Sequence, residues 1–181
     1  MRNSLKNLHQ QLGMTLIELL VVFSLIAIIG FISIPHIEHY RARHEYSQLF
    51  HLLHSHIYLA RSHALITQHT VVLCSSSDLQ HCDQNQWQQG ILLYVDRNNN
   101  RQRDDDESIL SSAVTQLKYA KLTWHGNASH PHNVVFQSDS GLPRGSMGHF
   151  LYCHLTDHTL QQALPLGAMG HLHSIPSKQC L

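Results

Sequence analysis

Charge is scarce in this 181-residue chain. Asp, Glu, Lys and Arg together make up only 13% of it, about half of the roughly 25% usual in soluble domains. Twelve Lys and Arg balance twelve Asp and Glu. That balance excludes a strongly basic nucleic-acid coat and a polyanionic buffer. Nine glycines and five prolines exclude collagenous and low-complexity chains. No Gly-x-x-x-x-Gly-Lys-Ser/Thr and no Gly-x-Ser-x-Gly occurs, so neither a phosphate-cradling loop nor a nucleophile elbow can be read. The four cysteines form no Cys-x-x-Cys, which leaves a zinc site without its usual spacing. What is abundant is histidine, at 18 residues. Below about pH 6.5 many of these imidazoles would charge, and the chain would turn cationic.

Apolar sequence is unevenly placed. Residues 1–13 are polar, with Arg2, Lys6 and no acid. Residues 14–34 follow as a nearly unbroken apolar run whose single charge is Glu18. About 20 such residues cross the hydrocarbon core as a helix. The preceding bases hold the N-terminal side in the cytoplasm and send the rest outward. A cleaved secretory signal fits poorly, because the run is long, carries a carboxylate and ends without a small-residue cleavage site. An ordinary single-pass anchor leaves Glu18 unexplained, since an acid in the bilayer costs a few kcal/mol and normally has a partner.

The segment Gly13-Met14-Thr15-Leu16-Ile17-Glu18, followed by a Leu/Val/Ile run, resembles the class III signal of type IV pilins and type II secretion pseudopilins. The resemblance implies that a prepilin peptidase cuts between Gly13 and Met14 and methylates Met14, which stands where the family usually has Phe. Glu18 is then the fifth mature residue. A buried carboxylate wants a cation, and the freed amine of a neighbouring subunit supplies one. Glu18 would thereby set the assembly register, as a buried polar residue does in a coiled coil. Loss of Arg2 and Lys6 with the leader makes the mature chain net acidic.

Past Pro35 the pattern stays helical. Leu49, Leu52, Leu53, Ile57, Ala60 and Ala64 recur with a 3.6-residue period. No Gly or Pro occurs from 36 to 69. A helix from Met14 to about Thr67 would be on the order of 80 Å long, loosened or kinked at Gly30 and Pro35. His36, His39, His44, His51, His54, His56, His63 and His69 lie along it. No Cys or carboxylate completes a ligand set, so they read as solvated positions rather than metal ligands.

From residue 70 the pattern changes to strands. Strands are expected at 70–74, 90–96, 107–114, 116–124, 133–137, 149–155 and 166–174, separated by polar turns, as in an antiparallel sheet or sandwich. Cys74, Cys82, Cys153 and Cys180 all fall in this exported part. An even count there suggests two disulfides, and three connectivities are open. Cys74–Cys82 with Cys153–Cys180 is preferred, the second bond pinning the C-terminus to a strand.

The run Cys74, Cys82, Trp87-x-x-Gly90, Asp96-x-Asn98-x-Asn100, Asp105-x-Glu107, with the later Phe136, Ser140-Gly141 and Gly148-x-Phe150-x-x-Cys153, is similar to the domain of pseudopilin H and the FimT/FimU minor pilins. The resemblance implies an α+β, type IV pilin-like fold: a long N-terminal helix, transmembrane in its first half, packed on a small antiparallel two-sheet β domain. The domain order is then leader 1–13, transmembrane helix 14–35, amphipathic spine 36–69 and periplasmic β domain 70–181.

Asp96, Asn98, Asn100 and Glu107 take positions 1, 3, 5 and 12 of an EF-hand-like loop. Position 6 is Arg101 and not the glycine that its sharp turn needs. The loop therefore reads first as a polar hairpin tip, with a weak calcium site as the alternative. FimT-like minor pilins that bind DNA do so through a C-terminal Gly-Arg-x-Arg. Here Gly170-His171-Leu172-His173 stands in that place, lacking both arginines. DNA contact through Arg97, Arg101, Arg103, His171 and His173 is the alternative function, and it would strengthen below about pH 6.5 and weaken with salt.

The leading functional expectation is a minor pilin or pseudopilin acting in filament assembly or priming, for pilus biogenesis or protein secretion. It implies no catalysis and no cofactor. Implied partners are other pilins or pseudopilins, the prepilin peptidase, an inner-membrane platform and the lipid bilayer. The implied location is the bacterial inner membrane, with the C-terminal domain in the periplasm.

Overall fold

The structure, a computed structural model, describes residues 15–180, and the side chains at 32–36 lie outside that description. The chain divides into two compact units, Met1–Arg41 and Ala42–Leu181. One helix, α1 (Leu16–Thr67), supplies residues to both.

In the first unit, α1 begins at a built cap. The Thr15 carbonyl accepts the Leu19 N–H at 3.2 Å, and the Thr15 hydroxyl accepts the Glu18 N–H at 3.3 Å. These contacts satisfy donors that a helix start leaves orphaned. Leu16, Ile17, Leu20, Phe23, Ile26, Ile29 and Phe31 are all exposed. Successive residues of a helix are about 100° apart, so this set covers every face. Among the described residues no helix is long and apolar enough to cross a membrane. The expected span over 14–35 includes Met14 and the positions at 32–35, which lie outside the described side chains.

In the second unit, α1 lays the expected stripe onto a β domain. Leu49, Leu53, Ile57, Ala60 and Ala64 are buried, and Leu52 is partly buried. Eight strands follow: β1 (Thr70–Ser75), β2 (Gly90–Asp96), β3 (Ile109–Val114), β4 (Ala120–Gly126), β5 (Asn133–Phe136), β6 (Gly148–His154), β7 (Gln162–Leu166) and β8 (Ile175–Pro176). They form two antiparallel sheets, ordered β3-β2-β1-β5 and β4-β6-β7-β8. Val71, Leu73, Ile91, Leu93, Val134 and Phe136 from the first sheet meet Leu122, Trp124, Phe150, Tyr152, Leu164 and Leu166 from the second in one core with the helix stripe. The Phe150 ring sits between the rings of Trp87 and Trp124, with centroids 5.0 and 4.6 Å away. Val72, Cys74, Leu92, Tyr94 and Val135 form a second cluster, on the opposite face of the first sheet because strand side chains alternate. β2 is therefore buried at every position.

Three expected strands shift. The one expected from 107 starts at Ile109, because the Glu107 carboxylate turns inward to hold the preceding loop. The one expected from 116 starts at Ala120, because Lys118 and Tyr119 are held by Glu45 instead. The strand expected over 166–174 is replaced by β7, a turn at Gly167–Gly170 and the short β8.

Candidate functional site

Gly13 and Met14, the expected cleavage and methylation positions, lie outside the described residues. Glu18 is described and stands in the first turn of α1. A carboxylate there complements the positive end of the helix dipole. Its backbone is engaged by Thr15, while its side chain is exposed to whatever surrounds the helix.

Both preferred disulfides are present. Cys74–Cys82 joins β1 to the loop that follows it, with Cα atoms 5.7 Å apart. Cys153–Cys180 ties the C-terminal tail to β6, with Cα atoms 5.4 Å apart. The described chain has no free cysteine.

The loop from Asp96 to Glu107 is closed by its own carboxylates. Asp96 is buried, and its two oxygens accept the N–H groups of Asn100 at 3.2 Å and Arg101 at 2.9 Å. Glu107 is buried too, and accepts the N–H groups of Arg97 at 2.7 Å and Asp104 at 3.2 Å. Asn98 and Asn100 both donate side-chain N–H to one Asp104 oxygen at 2.8 Å. Arg101 adopts φ +63°, the left-handed turn that glycine usually provides at that loop position. Two bonds hold it there: its N–H to Asp96 and its guanidinium to the Ser129 carbonyl at 3.2 Å. Burial raises the Asp96 carboxyl above its ordinary range, against the lowering effect of these amides. Burial, and then the nearby charges of Asp96, Glu107 and Asp104, push the Tyr94 phenol upward. Among the described residues no group of three His, Cys, Asp or Glu is placed to hold a metal.

The basic residues of the alternative function are spread over different segments. Arg97 is exposed, while Arg103 is largely buried and pairs with Asp105 at 3.2 Å. His171 and His173 stand after β7, where the His171 carbonyl accepts the Gly167 N–H and the His173 N–H donates to Pro165.

A comparison with protein families decides the class. Residues 51–165 match the model of type II transport protein GspH, and residues 8–34 match the prokaryotic N-terminal methylation motif. The chain belongs to the GspH family. Its GspH domain has the fold of the type IV minor pilin FimU of Pseudomonas aeruginosa, seen in two crystal forms. One matches at 14% identity with TM-score 0.53, covering 77% of this chain and 97% of that one. The other matches at 13% identity with TM-score 0.50, covering 75% and 99%. No curated protein sequence matches the chain. GspH-family chains are structural subunits, not enzymes.

Two residues fasten the β strands to α1: Glu45, which the sequence does not single out, and His56, expected as a solvated position but found buried. Glu45 accepts the N–H groups of Lys118 at 2.7 Å and Tyr119 at 3.2 Å, and the Tyr152 hydroxyl donates to it at 3.3 Å. His56 is buried against β3. Its Nδ1–H donates to the Leu52 carbonyl at 2.8 Å, which leaves Nε2 to accept from the Ser111 hydroxyl at 3.1 Å. Burial lowers the His56 pKa and outweighs the bond to Leu52. Spacing did hold a signal for His56: it lies seven residues after Leu49, on the same face.

Proposed function

We propose that this GspH-family chain is a minor pilin or pseudopilin that enters a cell-envelope filament through its N-terminal helix. It would act in assembly or priming, serving pilus biogenesis or protein secretion. The observation that carries this reading is the helix surface over 16–31, which is apolar on every side and uncovered by its own unit. A surface of that kind needs lipid or other apolar helices around it. Before assembly the bilayer provides that environment, and after assembly neighbouring pilin helices do. The GspH domain would then lie on the periplasmic side.

In this scheme the prepilin peptidase removes residues 1–13 and methylates Met14, and an inner-membrane platform handles the mature subunit. Glu18 pairs with the new amine of an adjoining subunit. A mispaired stagger would leave a carboxylate alone in an apolar surround, at a cost of a few kcal/mol. The pairing thereby selects one register.

Mass spectrometry of the natural product tests the reading. The expected product begins at a methylated Met14, and Gly13→Trp retains the leader. An unprocessed natural start, or trimming beyond residue 34 to a soluble form, would overturn it.

A further inference from the structure

We propose that His125 and His149 form a two-imidazole chelating site for a first-row transition-metal dication, with Cu2+ bound most tightly. The two residues are direct cross-strand partners on β4 and β6. Their rings lie nearly parallel, 10° apart, with centroids separated by 5.3 Å. Their strand neighbours Trp124 and Phe150 point into the core, so both imidazoles project from the opposite face of the sheet. His125 is exposed and His149 partly so. The strands beneath are rigidly paired over seven positions, which fixes the two Cβ atoms about 5 Å apart.

Chemistry and geometry point the same way. A metal–nitrogen bond of about 2.0–2.1 Å requires the two ligating nitrogens to lie roughly 3 Å apart. The imidazole χ2 torsion is soft, so modest rotation of stacked rings can bring one nitrogen of each to a shared point. The Thr123 hydroxyl lies 3.2 Å from His125 Nε2 and can steady that ring from outside the metal's own shell. The charged side chain that β4 adds to this face is Lys121. With imidazoles and no carboxylate, the face suits Cu2+, Ni2+ and Zn2+ rather than Ca2+ or Mg2+. Among the described residues no third His, Cys, Asp or Glu completes a closed set. The site is therefore an open one, whose remaining positions go to water or to a donor from another molecule.

The test is titration of the full chain in detergent micelles with Cu2+ alone. Calorimetry is followed together with quenching of tryptophan fluorescence, since Trp124 adjoins His125. Saturable binding with two nitrogen couplings in the copper electron paramagnetic resonance spectrum is expected, with Ni2+ and Zn2+ weaker. His125→Gln and His149→Gln should each weaken the tightest site at least about tenfold, or about 1.4 kcal/mol, and the double variant should go little further. His51→Gln should leave that site unchanged. Retained affinity in either single variant, a one-nitrogen spectrum of the wild type, or equal competition by Ca2+ would overturn the assignment. The wild-type spectrum decides even if a variant fails to fold.

Discussion

The carboxylate of Glu45 accepts the backbone N–H of Lys118 at 2.7 Å across 73 positions of the chain. With the bonds from Tyr119 and the Tyr152 hydroxyl, it fastens the start of the second sheet to α1. Hydrogen bonds to a charged group contribute about 1.5–3 kcal/mol, and donors left unpaired cost more than the bond itself gives. Glu45→Ala should destabilise the domain by about 2–4 kcal/mol, and Glu45→Gln, which keeps one acceptor, by about half as much. Urea unfolding of both variants checks the order. Equal stability of Glu45→Ala and wild type would remove Glu45 as a fastening.

Acid should loosen the domain through its buried and partly buried imidazoles. Burial lowers the pKa of His56, His130 and His149. A histidine whose folded pKa lies below its unfolded value takes up a proton on unfolding. Its contribution is thus fully present above about pH 6.5 and is lost as pH falls below it. Each proton adds at most about 1.4 kcal/mol per pH unit to the slope. Asp96 acts in the opposite sense, since its raised carboxyl pKa favours the fold as pH drops. Its window extends upward from the ordinary Asp range. Thermal melts between pH 7.5 and 5 should show a falling midpoint, and His56→Gln should flatten the fall.

Much of the fold was legible because its signals are local. The period-3.6 stripe from Leu49 to Ala64, the short apolar runs at 70–74 and 90–96 bounded by polar turns, and the cysteine parity follow from side-chain geometry over a few residues. What escaped is tertiary. Nothing near Lys118 and Tyr119 says that a helix carboxylate will hold their amides, so the strand was expected to begin at 116. Glu107 reads as a strand residue until its carboxylate is seen closing the loop onto the Arg97 amide. Arg101 lacks glycine's freedom yet takes the left-handed turn, because Asp96 and Ser129 hold it there. The pairing of His125 with His149 depends on the β4–β6 register, which no single strand encodes.

Gly141 leaves no room for a side chain. It has φ +62°, and a Cβ there would lie 2.4 Å from the Arg61 carbonyl oxygen of α1. Both the conformation and the contact oppose a side chain, and neither backbone can yield cheaply. Gly141→Ala should cost at least about 2 kcal/mol. Gly167, where the nearest atom to a new Cβ is 4.0 Å away, should tolerate alanine within about 0.5 kcal/mol. Paired denaturation curves compare them.

The Cys153–Cys180 bond closes a stretch of 27 positions, which corresponds to about 3.5 kcal/mol of chain entropy at most. The full value applies only if the tail stays folded when the bond is cut. β8 is two residues long and exposed, so the tail should detach instead. Cys153→Ser and Cys180→Ser should therefore expose the segment after residue 174 to trypsin at Lys178, with a smaller loss of global stability. Full protection of the tail in these variants would show that strand pairing alone suffices to hold it.

Thr15 and Glu18 allow capping to be separated from assembly. The Thr15 hydroxyl accepts the Glu18 N–H, a bond that uses the Glu18 backbone and leaves its carboxylate out. Thr15→Ala removes the cap and should cost the helix start about 1 kcal/mol, with the first turn fraying. Glu18→Gln keeps the backbone bond and helix propensity and removes only the charge. If Glu18 sets the register, Glu18→Gln and Glu18→Ala should both remain membrane-bound yet enter filaments poorly, while Thr15→Ala should enter at a modestly reduced level. Pull-down of the subunit in sheared filaments, against its level in the membrane fraction, reads the ratio. A larger loss for Thr15→Ala than for Glu18→Gln would transfer the role from the charge to the shape of the helix end.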